Sequence, residues 1–166
     1  RGKNLILVAR RKQQLATIQS DIVKKYPTIN IVIDSRDLTV TEDCLSFYNS
    51  LSDYTIETWI NNAGVGLYDL VGNTAIARVQ QLLRLNIEAL TLLSSLFVRD
   101  YKNIEGTQLI NISSAGGYTI VPTATIYCAS KFYVSSFTEG LAQELMATNC
   151  NMRAKVLSPA ATETEF

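Results

Sequence analysis

The sequence predicts an α/β fold built on a parallel sheet. Three observations carry that reading: short β-branched runs, amphipathic segments between them, and turn residues where each run stops. Asn4 to Ala9 is an apolar run of strand length. Leu15, Ile18, Ile22 and Val23 then recur at helical spacing until Pro27 stops the pattern. Residues 29–33 read as a second strand and residues 41–52 as a modest helix. Residues 55–60 make a third strand, ending in the turn Asn61-Asn62-Ala63-Gly64. A long helix is predicted over 74–101, a fourth strand over 108–112, a helix over 127–147, and a fifth strand over 153–157 that Pro159 halts. Strands that alternate with helices form parallel β-α-β units, with a sheet covered on both faces. Such sheets place ligands beyond the carboxyl ends of their strands, so the informative residues are expected just after Val8, Ile33, Ile60, Ile112 and Leu157.

Composition narrows the function. The 166 residues are 47% apolar, with mean hydropathy +0.10, which suits a single domain over 1–166 with a sizeable core. Histidine is absent, which excludes a Ser-His-Asp triad and an imidazole metal site, so proton transfer near neutral pH must use another group. Cys44, Cys128 and Cys150 are too few and too far apart for a disulfide framework or a thiolate metal site, and no metal is expected. Short apolar stretches and the lack of a signal-like start lead us to expect a cytoplasmic protein without a membrane span. The charges, 15 basic and 15 acidic, are unevenly spread: residues 1–36 hold eight basic and two acidic groups. That segment can attract an anion, whereas no basic face suited to nucleic acid extends over the whole domain.

Tyr127 and Lys131 are four residues apart on a predicted helix and therefore share a face. An ammonium there favours phenolate, which predicts a tyrosine pKa lowered toward neutrality and a usable general acid/base. Ser114 lies thirteen residues upstream, just past a strand end, where its hydroxyl can hold a carbonyl oxygen. A Y-x-x-x-K pair alone arises by chance roughly 0.3 times in such a chain, but with Ser114 and Asn86 at their offsets the joint chance falls to the order of 0.002.

With those residues in place, the sequence resembles the short-chain dehydrogenase/reductase family along its whole length. Tyr127-Cys128-Ala129-Ser130-Lys131 matches the family's Y-x-A-S-K motif, Ser114 its catalytic serine, and Asn86 its catalytic asparagine. Asn61-Asn62-Ala63-Gly64 matches the N-N-A-G turn, and Pro159-Ala160-Ala161-Thr162-Glu163-Thr164 resembles the segment covering the nicotinamide. The resemblance implies a Rossmann-like doubly wound sheet in three α/β/α layers. It also implies hydride transfer between nicotinamide and a carbonyl or alcohol substrate, with Tyr127 moving the proton and Ser114 orienting the oxygen. Lys131 would bind the nicotinamide ribose, and Asn86 would hold a proton-relaying water or else be satisfied structurally. Asn62, Ala63 and Gly64 would admit the cofactor closely, together with Pro159, Ala160, Thr162 and Thr164. Asp37 and Leu38 would face the adenine, although Asp37 also suits a helix cap.

Arg10, Arg11 and Lys12 fall where a helix begins and each cation is unfavourable by roughly 0.3–1 kcal/mol, which suggests a compensating anion. No acid follows Val8, so NADP(H) is expected, with Arg10 as the main contact to the 2′-phosphate and Arg11 in support. A merely solvated basic face is the alternative. Tyr68, Gly117, Tyr118 and Val121 lie where the family's substrate pocket would be.

The sequence also departs from the family pattern. The glycine-rich phosphate loop and its strand are not found, and Ala160 stands where glycine is usual. In the order 3-2-1-4-5-6 the missing strand lies between those ending at Val8 and Ile60, so a split sheet and a fold incomplete at both ends are expected. Leucines cover more than one side of the 74–101 helix, and Phe132, Val134, Phe137, Leu141 and Leu145 line 127–147. These two helices are expected to pair in a homodimer or homotetramer. A catalytically silent dinucleotide-binding sensor or scaffold is the rival reading, which loss of any of Asn86, Ser114, Tyr127 or Lys131 would have favoured.

Overall fold

The computed structural model describes residues 2–160. The described strands are β1 (Leu5–Ala9), β2 (Ile31–Ser35), β3 (Thr58–Asn61), β4 (Gln108–Ile112) and β5 (Arg153–Leu157). Helices α1 (Lys12–Lys25), α2 (Thr41–Asn49), α3 (Ile76–Leu83), α4 (Leu90–Tyr101) and α5 (Thr125–Ala147) alternate with them. All strand pairs are parallel and fall into two sheets, β1-β2 and β3-β4-β5, the division expected from the strand order. Lys3 pairs with Glu57 and so links the approaches to β1 and β3.

Boundaries differ from the sequence reading in two informative places. The second strand runs over 31–35, not 29–33, because the Asn4 side chain accepts the Asn30 amide while Asp34 and Ser35 still pair with Val8 and Ala9. The long helix is continuous over Ile76–Tyr101 but widens into a π turn at Arg84–Ala89, which Asn86 occupies. Such turns break the regular ladder and concentrate at functional sites. By length and hydropathy this helix would cross a bilayer; here Leu82, Leu93 and Phe97 are buried in the protein core.

The main core surrounds Trp59 of β3. Phe47 and Tyr48 of α2, Leu93 and Phe97 of α4, Leu109 of β4 and Leu145 of α5 pack there, with Ile6 and Val8 of β1 against its edge. Trp59 has Phe97, Tyr48 and Phe47 rings within 5.5, 5.7 and 6.0 Å, geometry in which each aromatic pair adds roughly 0.5–1.5 kcal/mol beyond its buried area. Helix α1 docks on β1 and β2 through Leu15, apart from this cluster. Register places Ile60, Ile110 and Lys155 on the opposite sheet face from Trp59, Leu109 and Ala154. That face is the less covered one, with Ile60 55% exposed.

The strand interior also carries a buried polar chain. Trp59 Nε1 donates to Asn61 Oδ1 (2.8 Å), and Asn61 Nδ2 donates to Ser94 Oγ (2.9 Å) and Asn111 Oδ1 (2.8 Å). Asn111 Nδ2 donates in turn to Thr138 Oγ1 (2.9 Å), joining β3, β4, α4 and α5 behind the carboxyl ends of the strands. Buried polar groups are tolerable only when satisfied in this way.

Candidate active site

The strand ends deliver the predicted residues to one place. Beyond β4, Ser114 opens the turn Ala115–Gly117 and caps it by accepting the Gly116 amide at 3.1 Å. The first turns of α5 present Tyr127 and Lys131, both buried. Ser114 and Tyr127 meet over Gly116, where a Cβ would stand 3.6 Å from both Ser114 Oγ and the Tyr127 ring. Lys131 Nζ lies 5.9 Å from the Tyr127 ring centre and donates to the Ile112 carbonyl at 2.9 Å.

The expectation of a depressed tyrosine pKa is corrected. Burial raises the Tyr127 pKa, and the neighbouring Ser114 hydroxyl only partly opposes it. The physical reason is that phenolate would be a charge removed from water, while the Lys131 ammonium is turned toward a carbonyl instead of the phenol oxygen. Burial lowers Lys131 to about 8. Near pH 7 a neutral phenol therefore rests beside an ammonium that loses its proton more readily than an exposed lysine does.

Asn86 is held from three sides. Its Oδ1 accepts the Val65 amide (2.9 Å), while Nδ2 donates to the Val65 carbonyl (3.0 Å) and to Ser130 Oγ (3.1 Å). Both amide protons are thereby used, so a water at this position would find only the second lone pair of Oδ1. Gly64 keeps that approach open: a Cβ there would stand 3.3 Å from Asn86 Oδ1 and 3.6 Å from Lys131 Nζ. The glycine serves close packing, not an unusual φ. Asn62 and Ala63, beside it, are exposed.

At the substrate side, the Tyr68 ring lies 5.9 Å from that of Tyr127, and the Asp69 amide donates to the Thr123 carbonyl at 2.7 Å. Thr123 sits at φ 68°, strained for a β-branched residue, directly before α5. Tyr68, Tyr118 and Val121 are exposed around this opening. Gly117 is not. It is buried against α5, which corrects its placement in the pocket.

The cation-rich turn after β1 lies across the strand ends. Helix α1 has Arg11 at its N-cap, with no side-chain hydrogen bond at that cap and no acid in its first turn. Ser35 Oγ donates to the Arg10 carbonyl (3.0 Å), fixing the turn, and the Arg10 charge helps lower the Asp37 pKa. Asp37 does not cap α2, whose N-cap is Val40. Its carboxylate accepts the Thr39 amide (3.0 Å) and hydroxyl (2.8 Å), closing an Asx turn beside half-buried Leu38. Pro159 is tied to the Ser114 turn through its carbonyl, which accepts the Ala115 amide at 2.9 Å, and Ala160 is exposed next to it. Thr162 and Thr164 lie outside the described residues.

These groups fit a nicotinamide dinucleotide. A buried ammonium with two protons to spare suits ribose hydroxyls, the space left by Gly64 admits a close neighbour, and the Ser158 hydroxyl before Pro159 is buried without a partner among the described residues. Sequence reasoning missed Ser130, Ser35 and Ser113 as supports. Ser130 stood inside the Y-x-A-S-K motif, and the other two gave no signal short of their contacts across the fold.

Comparison with known proteins agrees. A family model described as short chain dehydrogenase matches residues 1–166. The chain is 32% identical over 136 residues to dehydrogenase/reductase SDR family member 11 of Mus musculus, covering 78% of this chain and 52% of that protein. Its structure is similar to the bulky-bulky ketone specific alcohol dehydrogenase from Comamonas testosteroni, with TM-score 0.89, 28% identity, and 98% and 64% of the two chains covered. A short-chain dehydrogenase from Sphingobium yanoikuyae in complex with NADPH matches with TM-score 0.89, 28% identity, and 98% and 63% covered. The chain thus spans between about half and two thirds of the length of these proteins.

Proposed function

The chain belongs to the short chain dehydrogenase family, and from that premise we propose that the protein is an NADP(H)-dependent oxidoreductase interconverting a carbonyl and an alcohol. The observation that carries this reading is the convergence of Ser114 on a buried, protonated Tyr127, with Lys131 buried one helical turn along. A bound nicotinamide would supply or take up the hydride. In the reducing direction the Tyr127 phenol donates its proton to the substrate oxygen, and in the oxidising direction its phenolate accepts one. Ser114 donates a hydrogen bond to that oxygen and orients it. Lys131, with its pKa near 8, releases and regains a proton within the working range and holds ribose hydroxyls. Asn86 keeps the loop at Val65 and the start of α5 in register and offers its free lone pair to a relaying water.

Preference for NADP(H) is supported by Arg10 and Arg11 at an uncapped, acid-free helix start, with Arg10 reaching the 2′-phosphate. Asp37 and Leu38 would flank the adenine; Asn62, Ala63, Gly64, Pro159, Ala160, Thr162 and Thr164 would line the rest. Pairing into a homodimer or homotetramer through the long helix over 76–101 and through α5 is supported by the apolar side chains they leave exposed, Leu83 on the first and Phe132 on the second. Between them Tyr133 stacks on Phe137 at 5.9 Å and bonds Thr91 at 2.9 Å. The functional test is NADPH oxidation with a panel of aldehydes, ketones and diketones, beside Tyr127→Phe. Turnover that Tyr127→Phe abolishes supports the reading, and absence of turnover on every compound favours a silent dinucleotide-binding module.

A further inference from the structure

The three residues that follow one another out of β4 each hold a different part of one turn of α5. The Ile112 carbonyl takes the Lys131 ammonium (2.9 Å), Ser113 Oγ donates to the Lys131 carbonyl (2.9 Å), and Ser114 sits against Tyr127 over Gly116. Ser113 has a single hydroxyl proton, committed to that carbonyl, so in its 2.9 Å contact with Ser135 Oγ the Ser135 hydroxyl is the donor. Ser113 and Ser135 are 2% and 3% exposed, which leaves water no access to replace either bond. Gly117 closes the group. A Cβ on it would collide with Ser113 Oγ and stand 2.7 Å from Ser135 Oγ and 2.8 Å from the Lys131 carbonyl oxygen. The turn that begins at Ser114 is therefore seated directly on the backbone of Lys131.

We infer that Ser113, Ser135 and Gly117 are positioning residues: a buried clamp that fixes the distance from Ser114 to Tyr127 and keeps the Lys131 ammonium in its dry seat. The inference rests on the oxidoreductase reading of Tyr127 and Lys131. It extends that reading to side chains that need touch neither substrate nor cofactor. Hydrogen bonds behind a reacting pair act by geometry, and misplacement on the scale of 1 Å costs up to about 100-fold in rate. Loosening the clamp also lets water reach the ammonium, which returns its pKa toward that of an exposed lysine.

The test compares Ser113→Ala, Ser135→Ala and Gly117→Ala in the purified full-length protein. Ser113→Ala is expected to lower kcat about tenfold while KM for NADPH changes less than about twofold. It should also move the pH profile of kcat upward. Ser135→Ala, which leaves the bond from Ser113 to the Lys131 carbonyl, is expected to do the same more weakly. Gly117→Ala should have the largest effect, up to loss of the fold, so the decision rests on the serine variants. An independent reading is the 13Cε NMR titration of Lys131, assigned with Lys131→Met, in which Ser113→Ala should raise the midpoint by about 0.5 pH unit or more. An unchanged midpoint overturns the clamp, as does wild-type-like kcat with an unshifted profile. If the wild type turns over no carbonyl compound, the oxidoreductase reading falls, and the lysine titration alone then decides the clamp.

Discussion

The two ends of this chain use opposite physical means. Around β4 and α5, the groups that would do chemistry are buried: Asn86 is 1% and Tyr127 9% exposed, and Lys131 is 5% exposed with its ammonium on a carbonyl. Around β1 and α1, Arg10, Arg11 and Lys12 are exposed at a helix start, on a two-stranded sheet whose interior positions are mostly half-buried. Burial makes an interaction strong and geometrically fixed, as proton transfer requires. Exposure suits recognition of a charged group that must arrive from water and leave again. The difference therefore predicts unequal responses to mutation.

The largest expected effect is in the buried half. Tyr127→Phe removes only the oxygen that moves the proton, so kcat should fall by ~100- to 10,000-fold while NADPH affinity, measured by fluorescence titration, stays within about twofold. Equal loss of cofactor affinity would break the distinction between the two ends. In the exposed half, Arg10→Asp should weaken NADPH binding by ~10- to 100-fold, the value of one charge-assisted hydrogen bond, and leave NADH nearly unaffected. An unchanged NADPH to NADH ratio would return Arg10 to a solvated face.

Stability should follow the same division. Asn111→Leu strands Asn61 and Thr138 in a dry interior and should cost about 1–3 kcal/mol, read as a lower Tm or a lower urea midpoint. Ser35→Ala removes an exposed bond to the Arg10 carbonyl and should cost less than about 0.5 kcal/mol. A separate effect is in pH. Lys131 has a folded pKa of about 8 against an ordinary value of 10.5, so between these values the unfolded chain binds more protons than the folded one. Its destabilising contribution is fully present below pH 8 and is relieved as pH rises toward 10.5. Relative to Lys131→Met, the wild type should gain stability across that window in urea titrations; parallel curves would show that the lysine is not seated as described.

Legibility in the sequence varied with the range of the interaction. Tyr127 and Lys131 were readable because i and i+4 positions share a helix face in any context, and Ser114 because strand ends in parallel sheets are where sites form. Gly64 was readable as a place of close approach, although its neighbours there, Asn86 and Lys131, were not. Gly117 was misread as pocket lining because nothing local shows that a glycine faces a helix backbone fourteen residues away.

What the sequence determined by itself is the order of strands and helices, the split of the sheet, and the identity of the four side chains that converge. The element order and the pairing of Tyr127 with Lys131 follow from periodicity, turn chemistry and short spacings, which are properties of neighbouring residues, while the split and the full set of four are what the family resemblance implied. Tertiary structure alone decided the protonation preference of Tyr127, the turn of Lys131 toward Ile112, the engagement of Asn86 by Val65 and Ser130, and the clamp of Ser113 on α5. Each depends on how much water is excluded and which group from a distant segment fills its place. Desolvation and partner choice are set by the packed whole, so no local pattern encodes them.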